Sequence, residues 1–196
     1  VREAAFLCGT IRARPFSLMI SLIGMPGSGK TTVGRQLARR LGAVFLDSDR
    51  TIEERIGCSI RDYFQREGED AFRAIEEVVL DELTRGAQNT VLSTGGGAVV
   101  RAATRLRLRE RGHVVYLHAL PEDIYRRLRH DTTRPLLQTD NPLERLRGLY
   151  AERDPLYRET AHFVIETGRP SVATLVNMVA MQLELGGEAR SNPETR

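Results

Sequence analysis

Lysine is almost missing from this sequence: all but one of its 29 basic residues are arginine, and the exception is Lys30. Cysteine is equally scarce. Cys8 and Cys58 form neither a disulfide framework nor a metal-ligand spacing, so a reducing, cytoplasmic setting is expected. No apolar run approaches the roughly 20 residues that a membrane-crossing helix needs, and no membrane partner is expected. A large excess of charge of one sign is also lacking. The formal charge is only +3 and acids are interspersed with arginines, which argues against a nucleic-acid partner. There is no internal repeat. At 196 residues and 41% hydrophobic, the chain suits one domain with a sizeable core, expected as a monomer. Its limits are set at residues 17–185, leaving an arginine-bearing flexible extension at 1–16 and a polar, glycine-rich, disordered tail at 186–196.

What is present alternates. β-rich apolar runs at Leu18 to Ile23, up to Asp47 ("AVFLD"), Thr90 to Thr94, His113 to His118 and His162 to Glu166 read as five strands. Helical patterns separate them: "TTVGRQLARRLG", a long stretch from Asp49 to Leu83 broken near Gly57 and Gly68, "RAATRLRLRERG", "PEDIYRRLR" and "SVATLVNMVAMQLEL". Such alternation predicts an α/β fold, a parallel sheet covered by helices on both faces.

The lone lysine falls in "GMPGSGKT", between the first strand and the first helix. Gly24, Gly29, Lys30 and Thr31 satisfy the G-x-x-x-x-G-K-[ST] pattern of a phosphate-binding loop. Glycines let the backbone curl so that successive N–H groups point at phosphate oxygens, and the helix adds its positive N-terminal end. Gly27, Ser28, Gly29, Lys30, Thr31 and Thr32 are therefore the candidate nucleotide-binding residues. Lys30 carries a compact charge to the β- and γ-phosphates, where an arginine fork is too bulky for a tightly wrapped loop. Thr31 offers a hydroxyl to Mg²⁺.

In open parallel sheets, ligands bind beyond the carboxyl ends of the strands. The second strand ends in "LDSDR", which puts Asp47 and Asp49 two apart; one can hold Mg²⁺ through water and the other can accept a proton from a substrate hydroxyl. Either could instead cap the following helix. The third strand ends in "STGGG", where Gly95, Gly96 and Gly97 imply close approach of backbone to ligand. Arg73 and Glu76 stand at i, i+3 on a predicted helix, so that the carboxylate can orient the guanidinium. In "YRRLRHDTTRPLLQTDNP", Arg126, Arg127, Arg129 and Arg134 fill a segment with little helical pattern. A basic segment beside a phosphate site suits a closing lid.

From about Phe16 to Leu185 the chain resembles the shikimate kinase family, on "GMPGSGKTTVGRQLA", "FLDSD", "GCSIRDYFQREGEDAFRAIEE", "VLSTGGGAV", "VVYL", "TRPLL" and "ERDPLYRE" in that order. The resemblance implies a P-loop kinase of the nucleoside-monophosphate-kinase type: a three-layer α/β/α fold with a five-stranded parallel sheet and a mobile lid. It implies transfer of the γ-phosphoryl of ATP to the 3-hydroxyl of shikimate, with Mg²⁺, on the route to chorismate and the aromatic amino acids. By the same resemblance Asp49 is the catalytic base that binds acceptor hydroxyls, and Asp47 supports Mg²⁺ through water. Arg73 and Arg153 hold the shikimate carboxylate, Glu76 orients Arg73, and Gly95, Gly96 and Gly97 line the acceptor pocket. Arg134 approaches the phosphates from the lid, Arg127 lies over the adenine, and the Thr167 to Pro170 loop with Arg169 closes its other side. A gluconate-type kinase would share Lys30 and Thr31 without the Arg73, triple-glycine and Arg153 set. A ligand sensor derived from such a kinase would tolerate loss of the cradle residues, which are intact here.

Overall fold

A computed structural model describes residues 19–129 and 140–191, with side chains as far as Leu185. Expectations placed on residues 1–16, on Arg134 and on the last five residues lie outside the described residues.

Five parallel strands form one sheet in the order β2-β3-β1-β4-β5. They are β1 (Met19–Ile23), β2 (Val44–Asp47), β3 (Thr90–Ser93), β4 (His113–His118) and β5 (Phe163–Glu166). The five runs read from the sequence match these strands to within a residue or two. The three central strands are buried along their whole length, which is why they appear as near-continuous apolar runs. The edge strands β2 and β5 are only partly buried.

Side chains alternate across the sheet and so divide the core in two. On one face Ile20, Leu22, Val115 and Leu117 pack with Val33 and Leu37 of α1 (Lys30–Leu41) and with Leu175 and Val179 of α7 (Val172–Ser191). On the other, Ile23, Val114 and Tyr116 meet α4 (Ala102–Arg111), α5 (Pro121–Leu128) and α6 (Pro142–Thr160) through Leu108, Ile124, Leu146, Leu149 and Tyr157.

A smaller cluster built on Ile52, Phe72 and Val79 holds α2 (Ser48–Ile56) against α3 (Ile60–Thr84). The expected breaks fall where glycine takes left-handed backbone: Gly57 ends α2 at φ 70°, and Gly68 interrupts α3 at φ 83°, ψ 176°.

Two helices differ from the sequence reading. The whole of α6 is absent from it, because Pro155 sits inside the helix and its buried stripe of Leu146, Leu149 and Tyr157 is thinly spread among charges. Helix α7 continues through Gly186 and Gly187 to Ser191, beyond the domain end set at Leu185.

Candidate active site

Because β1 lies between β3 and β4, the chain reverses its direction of travel across the sheet beside β1, and a crevice opens beyond the strand ends there. It forms a cleft of about 410 Å³, lined on the phosphate-loop side by Gly27, Gly29, Lys30, Thr31 and Thr32 and opposite them by Asp47, Asp49, Ser93 and Gly96.

The loop after β1 turns tightly enough for Ser28 N–H to donate to Met25 O at 3.1 Å. Gly29, which precedes the first residue of α1, has φ 97°, a conformation that a side chain would oppose. Lys30 is 8% exposed, and its ammonium donates to Gly24 O at 2.8 Å and Met25 O at 2.9 Å. The loop thus wraps around its own lysine. Three point-like N–H donors can satisfy carbonyls inside such a curl, whereas a planar guanidinium needs a flat partner.

Next to it Thr31 Oγ1 donates to Asp47 Oδ2 at 3.0 Å and lies 3.3 Å from Ser93 Oγ. β2 and β3 are in register here, with Asp47 opposite Ser93. Among the described residues no group of three or more His, Cys, Asp and Glu could hold a metal ion. A threonine hydroxyl with a single carboxylate is instead the hard-oxygen set that suits Mg²⁺ retaining waters and taking other ligands from phosphate.

The two aspartates separate cleanly. Asp47 has extended backbone and caps α2, its Oδ1 accepting from Asp49 N–H at 3.2 Å. Asp49 stands in the first turn of α2 and caps nothing. Its carboxylate borders both the cleft and a neighbouring hollow of about 660 Å³ lined by Glu53, Ser59, Ile60, Arg61, Phe64 and Gln65. Burial holds its pKa above the ordinary aspartate value; Asp47 adds to the effect and Lys30 opposes it.

Opposite the loop, Arg73 is 7% exposed and ion-paired to the 3% exposed Glu76. Glu69, one turn earlier, takes Arg73 Nη2 at 3.1 Å, and the guanidinium carbon stands 5.2 Å from the Phe72 ring centroid and 5.8 Å from that of Phe64. Burial disfavours the charge on Arg73, but Glu76 and Glu69 more than reverse this and its pKa is raised. Glu76 is raised as well, burial outweighing Arg73.

Each glycine of the triplet makes room for something definite. A Cβ at Gly95 would lie 2.6 Å from Asp49 Oδ1 and 2.9 Å from Glu76 Oε1. At Gly96 it would lie 2.6 Å from Pro26 Cδ, and at Gly97 it would run into the Arg73 guanidinium. From α6, Arg153 Nη1 donates to Gly96 O at 3.3 Å. Its Nε is buried without a hydrogen-bond partner among the described residues, and the nearest carboxylate oxygen, of Glu152, is 3.7 Å away.

At the far end of the cleft Arg127 forms part of the lining and donates through Nη2 to Thr167 O. Thr167 is in turn fastened to His118 O by its N–H at 2.8 Å and its hydroxyl at 2.9 Å. Arg169 is exposed on the same loop and does not border the cleft. Residues 130–139, with Arg134, lie outside the described residues.

Three contributors escaped the sequence reading. Glu69 was within reach, standing at i, i+4 to Arg73. Ser93 is visible only through strand register. Tyr157 becomes evident only when α6 is recognised, since Arg153 and Tyr157 are then i, i+4 on one face.

A sheet with this strand order, a glycine-lined phosphate loop running into α1, and hard-oxygen and basic groups gathered across the cleft define a P-loop phosphotransferase. The family model described as shikimate kinase matches residues 26–184. The chain is 62% identical over 178 residues to a shikimate kinase of Paracidovorax citrulli, covering 90% of this chain and 97% of the other. It is 58% identical over 168 residues to one of Ralstonia nicotianae, covering 86% and 88%. A structure of shikimate kinase from Acinetobacter baumannii in complex with shikimate superposes with a TM-score of 0.81 at 48% identity, covering 87% of this chain and 94% of that one. The chain belongs to the shikimate kinase family.

Proposed function

We propose that this kinase phosphorylates shikimate at its 3-hydroxyl with ATP, giving shikimate 3-phosphate and ADP for chorismate and aromatic amino-acid synthesis, with the residues of the cleft in the following roles. Lys30 and the loop N–H groups of Gly27 and Gly29 hold the β- and γ-phosphates, with Ser28 and Thr32 beside them. Thr31, and Asp47 through water, hold Mg²⁺, which when bound neutralises phosphate charge. Asp49 accepts the proton of the 3-hydroxyl as that oxygen forms a bond to the γ-phosphorus and the bond from phosphorus to the ADP oxygen breaks. Its raised pKa suits a proton acceptor. Arg127 and the Thr167 loop enclose the adenine, with Arg169 reaching it from the outer side of that loop, and Arg134 brings positive charge to the phosphates from the lid. Positioning and charge neutralisation supply most of the rate in such a transfer.

The observation that carries the choice of acceptor is the state of the two arginines across from the loop. Arg73 is clamped by two acids, and Arg153 keeps a buried Nε with no hydrogen-bond partner among the described residues. A planar carboxylate is the natural complement of such forks, and Asp49 with the glycine turn suits hydroxyls. The enzyme on this reading acts as a cytoplasmic monomer, without nucleic-acid or membrane partners. Among the described residues no helix is long and apolar enough to cross a membrane.

The test is a coupled ADP-release assay with shikimate, gluconate and nucleoside monophosphates as acceptors. Turnover with shikimate alone is expected. Turnover with gluconate or a nucleoside monophosphate in its place would overturn the reading.

A further inference from the structure

The glycine turn after β3 treats its three carbonyls differently. Gly95 O accepts from Ala98 N–H at 3.2 Å and Gly97 O from Val100 N–H at 3.0 Å, so the turn satisfies both from within. Gly96 O is served from α6. It accepts from Arg153 Nη1 at 3.3 Å and from the Tyr157 hydroxyl. Tyr157 is fully buried, with its ring stacked on Tyr116 at 4.9 Å between centroids, and Tyr116 in turn donates to Asp154 Oδ1 at 2.9 Å. The ring that carries the donor therefore has little freedom to move.

We propose that Tyr157 is a positioning residue for the acceptor: its hydroxyl fixes the Gly96 carbonyl, and so leaves the Arg153 guanidinium available to the acceptor's carboxylate. The inference rests on the reading of Arg153 given above. The peptide between Gly96 and Gly97 is planar, so holding its carbonyl toward α6 turns Gly97 N–H to the opposite side. The carbonyl takes one neutral bond from Tyr157 and one longer, charged bond from Arg153, and the neutral one is what allows the charged one to be given up to a substrate. Without the neutral bond, the Gly96 carbonyl has only Arg153, and the guanidinium is drawn from the substrate to the backbone, because a buried acceptor left unpaired is costly. Burial also holds the Tyr157 phenol above its ordinary pKa, against the neighbouring Arg153, whose charge and hydrogen bond to the phenol pull the other way, so that it stays protonated at neutral pH.

Tyr157→Phe removes the hydroxyl and keeps the stacked ring. KM for shikimate is expected to rise about three- to tenfold, the range of one neutral hydrogen bond, with KM for ATP and kcat nearly unchanged. In a double mutant with Arg153→Lys the losses should be less than additive. A structural role alone would lower Tm and move both substrates together. If the phenylalanine variant folds poorly, 3-fluorotyrosine placed at 157 keeps the fold, strengthens donation and should lower KM for shikimate. An unchanged KM for shikimate in the variant that folds, or equal shifts for shikimate and ATP, would overturn the proposal. Arg153→Lys measured alongside separates the two levels. If it is harmful while the Tyr157 variants are silent, only the positioning role is lost. If it is silent too, the carboxylate reading falls and takes the inference with it.

Discussion

The two walls of the cleft are made from different materials. On the side proposed for the phosphates, the wall is built from backbone: a loop short on side chains curls around one buried lysine, and that lysine rests on the loop's own carbonyls. On the side proposed for the acceptor, the wall is built from side chains packed against each other. Arg73 is held by Glu69 and Glu76 beside the mutually packed rings of Phe64 and Phe72, and glycines at 95, 96 and 97 are the gaps that let Asp49, Pro26 and Arg73 approach. A phosphate group of changing shape is best followed by a point charge and many N–H donors, whereas a rigid carboxylate is best met by a rigid fork. The lone lysine among arginines marks the boundary between the two designs.

The largest effect should come from the backbone-built wall. Lys30→Ala is expected to lower kcat by about a thousandfold or more with the fold intact by circular dichroism, the loss seen when a preorganised charge is removed from a transition state. Lys30→Arg keeps the charge and should recover little of it, because the fork does not fit the curl. Near-normal turnover in Lys30→Arg would erase the contrast between point charge and fork.

Asp49 sits between the walls. Asp49→Asn should cut turnover about a hundredfold or more, whereas Asp47→Asn should chiefly raise the Mg²⁺ concentration needed for half-maximal rate. Since burial and Asp47 raise the Asp49 pKa, kcat/KM should fall on the acid side at a pH above the ordinary aspartate value, and Asp47→Asn should move that limb to lower pH. The stability effect has the opposite sign to the catalytic one. A carboxylate whose pKa is raised on folding binds more protons folded than unfolded, so it destabilises the fold above its folded pKa, and that cost fades as pH falls through it. Asp49→Asn should therefore melt higher than the parent at neutral pH, with the gap closing on acidification. A lower Tm at neutral pH would show that Asp49 is not a strained carboxylate.

The smallest effect tests the gaps. A side chain at Gly97 has to displace the Arg73 guanidinium. Gly97→Ala should raise KM for shikimate about tenfold, a change of ~1.4 kcal/mol, and leave KM for ATP alone. Equal shifts in both would mean that the turn is only a structural corner.

The backbone-built wall was the more legible of the two. Fully buried parallel strands write themselves as apolar runs, and a loop that must curl needs its glycines at fixed places, so β1, the loop and α1 follow from residues 18–41 directly. The triple glycine could be read as close approach, but not what approaches: Asp49, Pro26 and Arg73 arrive from three distant segments. The choice between Asp47 and Asp49 as helix cap was open in the sequence. It is settled by Asp47 being the last strand residue, with φ −123° and ψ 117°, its side chain shared between Thr31 and the first turn of α2. Helix α6 was hidden by Pro155 and by a surface crowded with charge, and Tyr157 was hidden with it. Arg153 came from the "ERDPLYRE" resemblance alone.

Whether the side-chain forks of one wall read a carboxylate is decided by Arg153→Lys assayed with shikimate and with its analogue in which the carboxylate is reduced to an alcohol. Charge is constant in the substitution and geometry is not. A substantial loss of kcat/KM with shikimate is expected, with full removal of the side chain costing about 2–5 kcal/mol, as for a broken buried charge pair. With the alcohol, already a poor substrate of the parent, the further loss should be small, and KM for ATP should not move in either case. Equal losses with shikimate and the alcohol would show that Arg153 does not read the carboxylate.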